Sequence, residues 1–226
     1  MANLAFRAFT QAVDQTFAVS SINITAPTGT VQNDLGLIFF FTGVAAPTGA
    51  PTHTTPSGWT LIRSDTFTLI SGGFNCRESI YYRIEGATPQ TETMQASGNC
   101  AITCTRLSYD NPNTVTPFDT SSFNSGTGTA VTFTGITVAN ANSLLVGYGI
   151  SDAASVTFTP DADFTERSDA NGAMSMDAIF PNGASGNQTA TASGSGGWTA
   201  WLMSFRSEPA GGPLLSGVRN MIVRAA

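Results

Sequence analysis

Alternation of apolar and polar positions is the main rhythm of this 226-residue chain. Successive side chains of a strand point to opposite faces, so alternation predicts half-buried strands. Such runs fall at Thr16–Thr25, Arg77–Ile84, Cys100–Leu107, Thr129–Val138 and Trp198–Phe205. Two stretches break the rhythm, because Leu35–Thr42 and Leu144–Ile150 are almost continuously apolar. A short apolar run of this kind predicts a central strand covered on both faces, or one lying under a neighbouring subunit. Turn signals separate the runs at Ala26–Gly29, Asn33-Asp34 and Ser71–Gly73. Asn171-Gly172 predicts a type I′ hairpin, whose two central residues need positive φ.

The pattern is written twice. Leu35–Phe41 answers Leu144–Ile150. Trp59-Thr60 and Arg63-Ser64-Asp65 answer Phe164-Thr165 and Arg167-Ser168-Asp169. Both copies close on an alternating strand, Cys100–Leu107 in one and Trp198–Phe205 in the other. The offset of roughly a hundred residues is too long for a solenoid repeat and suits one duplicated half of a sandwich. The predicted fold is all-β: an antiparallel β-sandwich, jelly-roll-like, built from two similar halves with short N- and C-terminal arms. Residues 1–12, with Leu4, Phe6 and Phe9 in near-alternation, form an arm or edge strand. The sandwich spans 13–208, with copies at about 15–109 and 129–206 joined by a polar connector, Asp110–Thr129. A linker and an apolar arm follow at 209–226. The proline-bearing loop Gly43–Gly58 is expected to be functional or clamped by a partner.

Composition narrows the function. Charged residues make up 11% of the chain against the usual quarter, and aromatics 10%, so the chain is no disordered segment. Thr, Ser, Asn and Gly supply the polar surface. All nine basic residues are Arg and the net charge is −6, so no basic stripe exists to track phosphates and no nucleic-acid partner is expected. Without Lys there is no P-loop. The opening Met1–Arg7 lacks a basic start and a sustained apolar core, so no signal peptide is expected. The apolar run around Phe39–Phe41 is too short to span a membrane.

Candidate chemistry is thin. Cys76, Cys100, Cys104 and His53 could make a zinc site, but zinc ligands normally come as close-spaced pairs. The better reading is three small buried hydrophobes, with a Cys76–Cys100 bridge as the minority one. The single histidine, His53, sits in the proline-bearing loop and reads as a loop residue rather than a base. Ser195, in Ser-Gly-Ser-Gly-Gly, lacks the first glycine of a nucleophile elbow. Asp161-Ala-Asp163 and Asp169-Ala-Asn-Gly172 read as turns, since neither carries a full ladder of calcium ligands. Glu85, Glu92, Asp110 and Asp177 could serve a hydrolase only if the fold set them around one cleft. Trp198 and Trp201 have opposite parity on one strand, so one should face outward and mark a contact surface.

Four phrases resemble a known family. Pro56–Ile62 (PSGWTLI), Tyr81–Pro89 (YYRIEGATP), Ser143–Gly149 (SLLVGYG) and Gly197–Arg206 (GWTAWLMSFR) are similar to β-sandwich virion structural proteins of tailed bacteriophages. The resemblance covers about residues 15–208. It implies a non-enzymatic part of the particle, with no cofactor and no metal: a head decoration or cement protein, or a tail-associated one. It also implies a major capsid or other virion protein as partner, a homo-oligomer or symmetric array, and assembly into the virion from the host bacterial cytoplasm. The candidate contact surface is Phe6, Phe9, Trp201, Leu214, Leu215, Val218 and Ile222. The alternatives are a tail or fibre module that holds a host-surface glycan on an exposed Trp or Tyr, and a hydrolase of the cell envelope.

Overall fold

A computed structural model describes residues 3–69, 73–152 and 155–207. The fold is an antiparallel β-sandwich of two open sheets. The first sheet uses β1 (Ala5–Ile24), β2 (Leu35–Ala45), β3 (His53–Thr54), β4 (Thr60–Leu69), β5 (Phe74–Ile84) and β6 (Glu92–Asp110). Its order is β1-β6-β2-β5-β4, with β3 also pairing with β6. Next along the chain come β7 (Phe118–Phe133), the two-residue β8 (Thr137–Val138), β9 (Ser143–Ser151), β10 (Phe158–Pro160), β11 (Thr165–Ala170), β12 (Ala173–Phe180), the two-residue β13 (Gly183–Ala184) and β14 (Gln188–Phe205). The second sheet runs β10-β14-β9-β12-β11, with β7 on β14, while β8 and β13 pair separately.

The two sheets share one plan. Exchanging β1, β2, β3, β4, β5 and β6 for β7, β9, β10, β11, β12 and β14 leaves every strand neighbour unchanged. Even a bulge repeats: β4 is bulged between Leu61 and Arg63, and β11 between Glu166 and Ser168. The ladder aligns Thr60 with Thr165, so Ile62 matches Arg167. The similar tripeptides Arg63–Asp65 and Arg167–Asp169 are therefore one position out of structural register.

Among the described residues, three cores hold the molecule. Between the sheets, Leu35, Leu37, Phe39 and Phe41 of β2 face Leu144, Val146, Tyr148 and Ile150 of β9, joined by Trp201, Met203 and Phe205. Phe39 stacks on Tyr148 with ring centroids 4.1 Å apart and planes 9° from parallel. These two residues occupy the same place in the two copies, so they meet as equivalent residues meet across a two-fold axis. The edges follow the same symmetry. β1 reaches β11 through Gln11, whose amide donates to the Ala170 carbonyl (3.3 Å). β7 reaches β4 through the Phe67–Phe123 ring pair (6.0 Å).

The other two cores lie on the outer faces. The long strands β1 and β6 fold back, bringing Ile24 and Met94 over Ile38, Phe40, Ile102 and Cys104. Likewise β7 and β14 bring Val131, Phe133 and Ala190 over Leu145, Met174, Met176 and Leu202. This is why Leu35–Thr42 and Leu144–Ile150 carry no polar face: both sides of each central strand are buried.

Two expected boundaries move. Most of the polar connector Asp110–Thr129 is strand, because Phe118 packs on Phe205 (5.9 Å) and Phe123 on Trp201 (5.2 Å). Their five-residue spacing hides the alternation. The loop Gly43–Gly58 is clamped by the chain itself, with β3 on Gln95-Ala96 and Thr52 bonded to Ser97 in both directions (2.8 and 2.9 Å).

Candidate contact surface

Trp201 is not on a surface. It is 0% exposed at the centre of the inter-sheet core, and its indole N–H donates to Asp65 (3.0 Å). The same carboxylate takes both arms of Arg63 (2.6 and 2.8 Å), so β14 and β4 are tied across the sandwich. Trp198 does point the opposite way, as its parity predicts, but it is buried too. The parity argument assumed one wet face per sheet, and the folded-back strands remove it. Phe6 is half-buried, edge-on to Tyr109 (5.6 Å) and beneath the Arg167 guanidinium (4.7 Å). Phe9 is 40% exposed on the edge strand β1. Leu214, Leu215, Val218 and Ile222 lie outside the described residues.

Each carboxylate considered for catalysis is held by a partner within the fold, and Glu85 and Glu92 share one. Glu85 is buried between Arg106 (2.6 Å) and Arg83 (2.8 Å), and Arg83 also grips Glu92. Both guanidinium groups lie over the Trp59 ring, at 4.5 and 5.2 Å. Asp177, in the other half, takes a two-pronged bond from Arg167 (2.8 Å each). Asp110 accepts from the Ala5 amide (2.9 Å). These groups do not face one cleft.

His53 sits between two hydroxyls, Thr42 Oγ1 on Nε2 and Ser79 Oγ on Nδ1, each at 2.8 Å. Ser79 continues to Ser64 (2.8 Å), which receives Arg77 (3.0 Å). Burial, with Arg77 adding repulsion, lowers the His53 pKa to about 3. A general base works best with a pKa near the operating pH. This ring instead pins the proline-bearing loop to β2 and β5.

The three cysteines are free and buried. Cys76 faces the inter-sheet core, whereas Cys100 and Cys104 face the outer core of the first half. They therefore lie on opposite sides of one sheet, which separates them as metal ligands and as a bridge. Burial raises the Cys76 thiol to about 12 and Cys100 to about 11, far from reactive thiolates.

Two residues escape sequence reasoning. Glu78 is fully buried between the sheets, and neither carboxylate oxygen has a hydrogen-bond partner. Burial, with Asp65 adding like charge, holds its pKa well above the usual 4.5. The signal was present, because alternation along Arg77–Ile84 puts Glu78 on the same face as Ile80. The second is Phe17, 43% exposed, with φ +58°. Nothing in the sequence marks it, because Phe17 and Val19 fit the alternation of the run Thr16–Thr25.

Comparison of the chain with protein-family models, with curated proteins and with solved structures finds no match.

Proposed function

We propose that the chain is a structural protein of a bacteriophage particle, a decoration or cement protein that binds the head shell and stabilises it. The observation that carries this reading is where the positive charge goes. All seven arginines among the described residues are bonded inside the chain: Arg7 to Asp34, Arg77 to the Pro51 carbonyl, Arg206 to Asp119, and the other four as described above. What remains for a partner is a surface of hydroxyls, amides and a few carboxylates such as Asp163 and Glu166, with single apolar residues such as Phe9. Such a surface adheres by fit and burial, at about 25 cal/mol per Å² of apolar area. Symmetry would repeat each small contact over the particle. The resemblance to virion β-sandwich proteins points the same way. On this reading the partner is the major capsid protein or another virion protein, the chain forms a homo-oligomer or symmetric array, and it works in the virion after synthesis in the bacterial cytoplasm. No catalytic residue takes part.

The glycan alternative needs an outward Trp or Tyr: Trp59, Trp198, Trp201, Tyr81, Tyr109 and Tyr148 are all buried, and the half-buried Tyr82 packs against Phe118 (6.3 Å). Sedimentation with head shells stripped of accessory proteins tests the proposal. The protein should pellet at a fixed, saturating ratio to the shell protein, and Phe9→Glu should weaken the association. Protein left in the supernatant at every concentration overturns it.

A further inference from the structure

The duplicated sheets differ at one instructive place. In β7 a single residue, Thr127, separates Gly126, opposite Trp198, from Gly128, opposite Gly196. The matching interval of β1 holds four. Gln15, Thr16, Phe17 and Ala18 stand between Asp14, opposite Ile102, and Val19, opposite Cys100. The addition is costly. Phe17 takes a left-handed backbone conformation, which for a bulky residue costs on the order of 1–3 kcal/mol and persists only where its surroundings enforce it. Asp14 holds the residue just before Phe17, accepting from both the amide (2.8 Å) and the hydroxyl (2.5 Å) of Thr16.

The inserted residues wall a cavity. The Phe17 ring lies 17° from parallel to Phe74 at 5.5 Å. Together the two rings flank an opening of about 240 Å³ at one end of the inter-sheet core. Its floor is apolar: Phe41, Leu69, Cys76 and Ile150. Its rim is polar, with Gln15, Asp152 and Asn171. At the other edge of the sandwich, where β7 has no insertion, the gap between β7 and β4 is about 120 Å³ and is lined by Gly126 and Trp198.

We propose that this cavity binds a small neutral molecule with one apolar ring and one hydrogen-bonding group, of the size of phenol or indole. The volume is below the roughly 300–1,000 Å³ that takes drug-sized ligands, which limits the ligand to one or two rings. The floor and the two phenyl walls reward burial of a ring, and aromatic pairs add about 0.5–1.5 kcal/mol beyond area. The amide groups of the rim meet a hydroxyl or N–H, and the Asp152 carboxylate disfavours an anion. The inference stands apart from the virion reading, because it rests on the insertion and the cavity alone.

Calorimetric titration of the full chain with phenol, indole and benzoate tests it. Phenol and indole should bind saturably, and benzoate about tenfold more weakly. Replacing Gln15–Ala18 by a single Thr, as in β7, should weaken phenol and indole by about tenfold or more with the far-UV spectrum unchanged. Phe17→Ala keeps the insertion, removes one wall, and should weaken both in the same direction, which covers a shortened chain that fails to fold. The proposal is overturned if neither ring compound saturates, if benzoate binds as well as phenol, or if Phe17→Ala binds as the native chain does.

Discussion

Two buried ionisable groups set opposite limits on stability. Glu78 keeps its proton in the folded state, while in the unfolded chain it ionises near 4.5. Above that pH the native state binds more protons, so stability falls as pH rises toward the elevated folded value. His53 behaves in the reverse sense: unfolded it takes a proton near 6.5, but folded it refuses one until about 3. Its contribution is intact above 6.5 and is lost as pH falls toward 3. Each slope reaches about 1.4 kcal/mol per pH unit, so the two groups oppose each other where their ranges overlap above 4.5, and below 4.5 the histidine loss acts alone. Urea unfolding of Glu78→Gln across pH should show the alkaline loss flattened and the acid loss kept. The Glu85 cluster is a different case, because its charges are paired. Glu85→Leu leaves the buried Arg106 without its carboxylate and should cost about 3–5 kcal/mol in the same assay. At this scale the sequence was half legible. Parity sets Glu78 on the face of Ile80 and Trp198 opposite Trp201, but the outward choice of Trp201 was wrong and the burial of all three did not follow, because parity says nothing of which face is inner or of a second layer over the outer one.

Among the elements, Leu35–Thr42, Arg77–Ile84, Cys100–Leu107, Leu144–Ile150 and Trp198–Phe205 lie within strands as the pattern predicts, whereas the run Thr129–Val138 breaks after Phe133 and resumes only as the two-residue β8. The hairpin between β11 and β12 turns on Asn171 (φ +53°) and Gly172 (φ +72°), the positive pair that a type I′ turn requires. Asn171 also donates to the Gln11 side chain (2.8 Å), linking the hairpin to β1. Asn171→Val should cost about 1–2 kcal/mol by urea unfolding, since a branched residue resists left-handed backbone. Edge strands were harder to read. Only the C-terminal end of β7 was announced, by Val131 and Phe133, while its Ser-, Thr- and Gly-rich first part is marked only by Phe118 and Phe123, which pack at unequal spacing. The β1 insertion was invisible for a related reason. A bulge shifts register without breaking composition, so only the comparison with β7 in three dimensions exposes it.

At the level of the whole molecule, duplication and the sandwich of two like halves were legible from sequence, and the details of their packing were not. Matching phrases said that two halves are alike. They did not say that equivalent strands meet at the centre of the sandwich, or that each half covers its own outer face. That arrangement explains a chain that is rich in apolar residues and poor in charge yet shows only scattered exposed hydrophobics, Phe9, Phe17, Val31, Leu61, Val115 and Ile179 among the described residues. The most direct measurement of this packing is a double-mutant cycle on Phe39→Leu and Tyr148→Leu by urea unfolding. If the two equivalent rings stack across the axis, the cycle should return a coupling of about 0.5–1.5 kcal/mol. A coupling of zero, with both single variants destabilised, would mean that the rings do not touch and that the halves do not meet through their central strands.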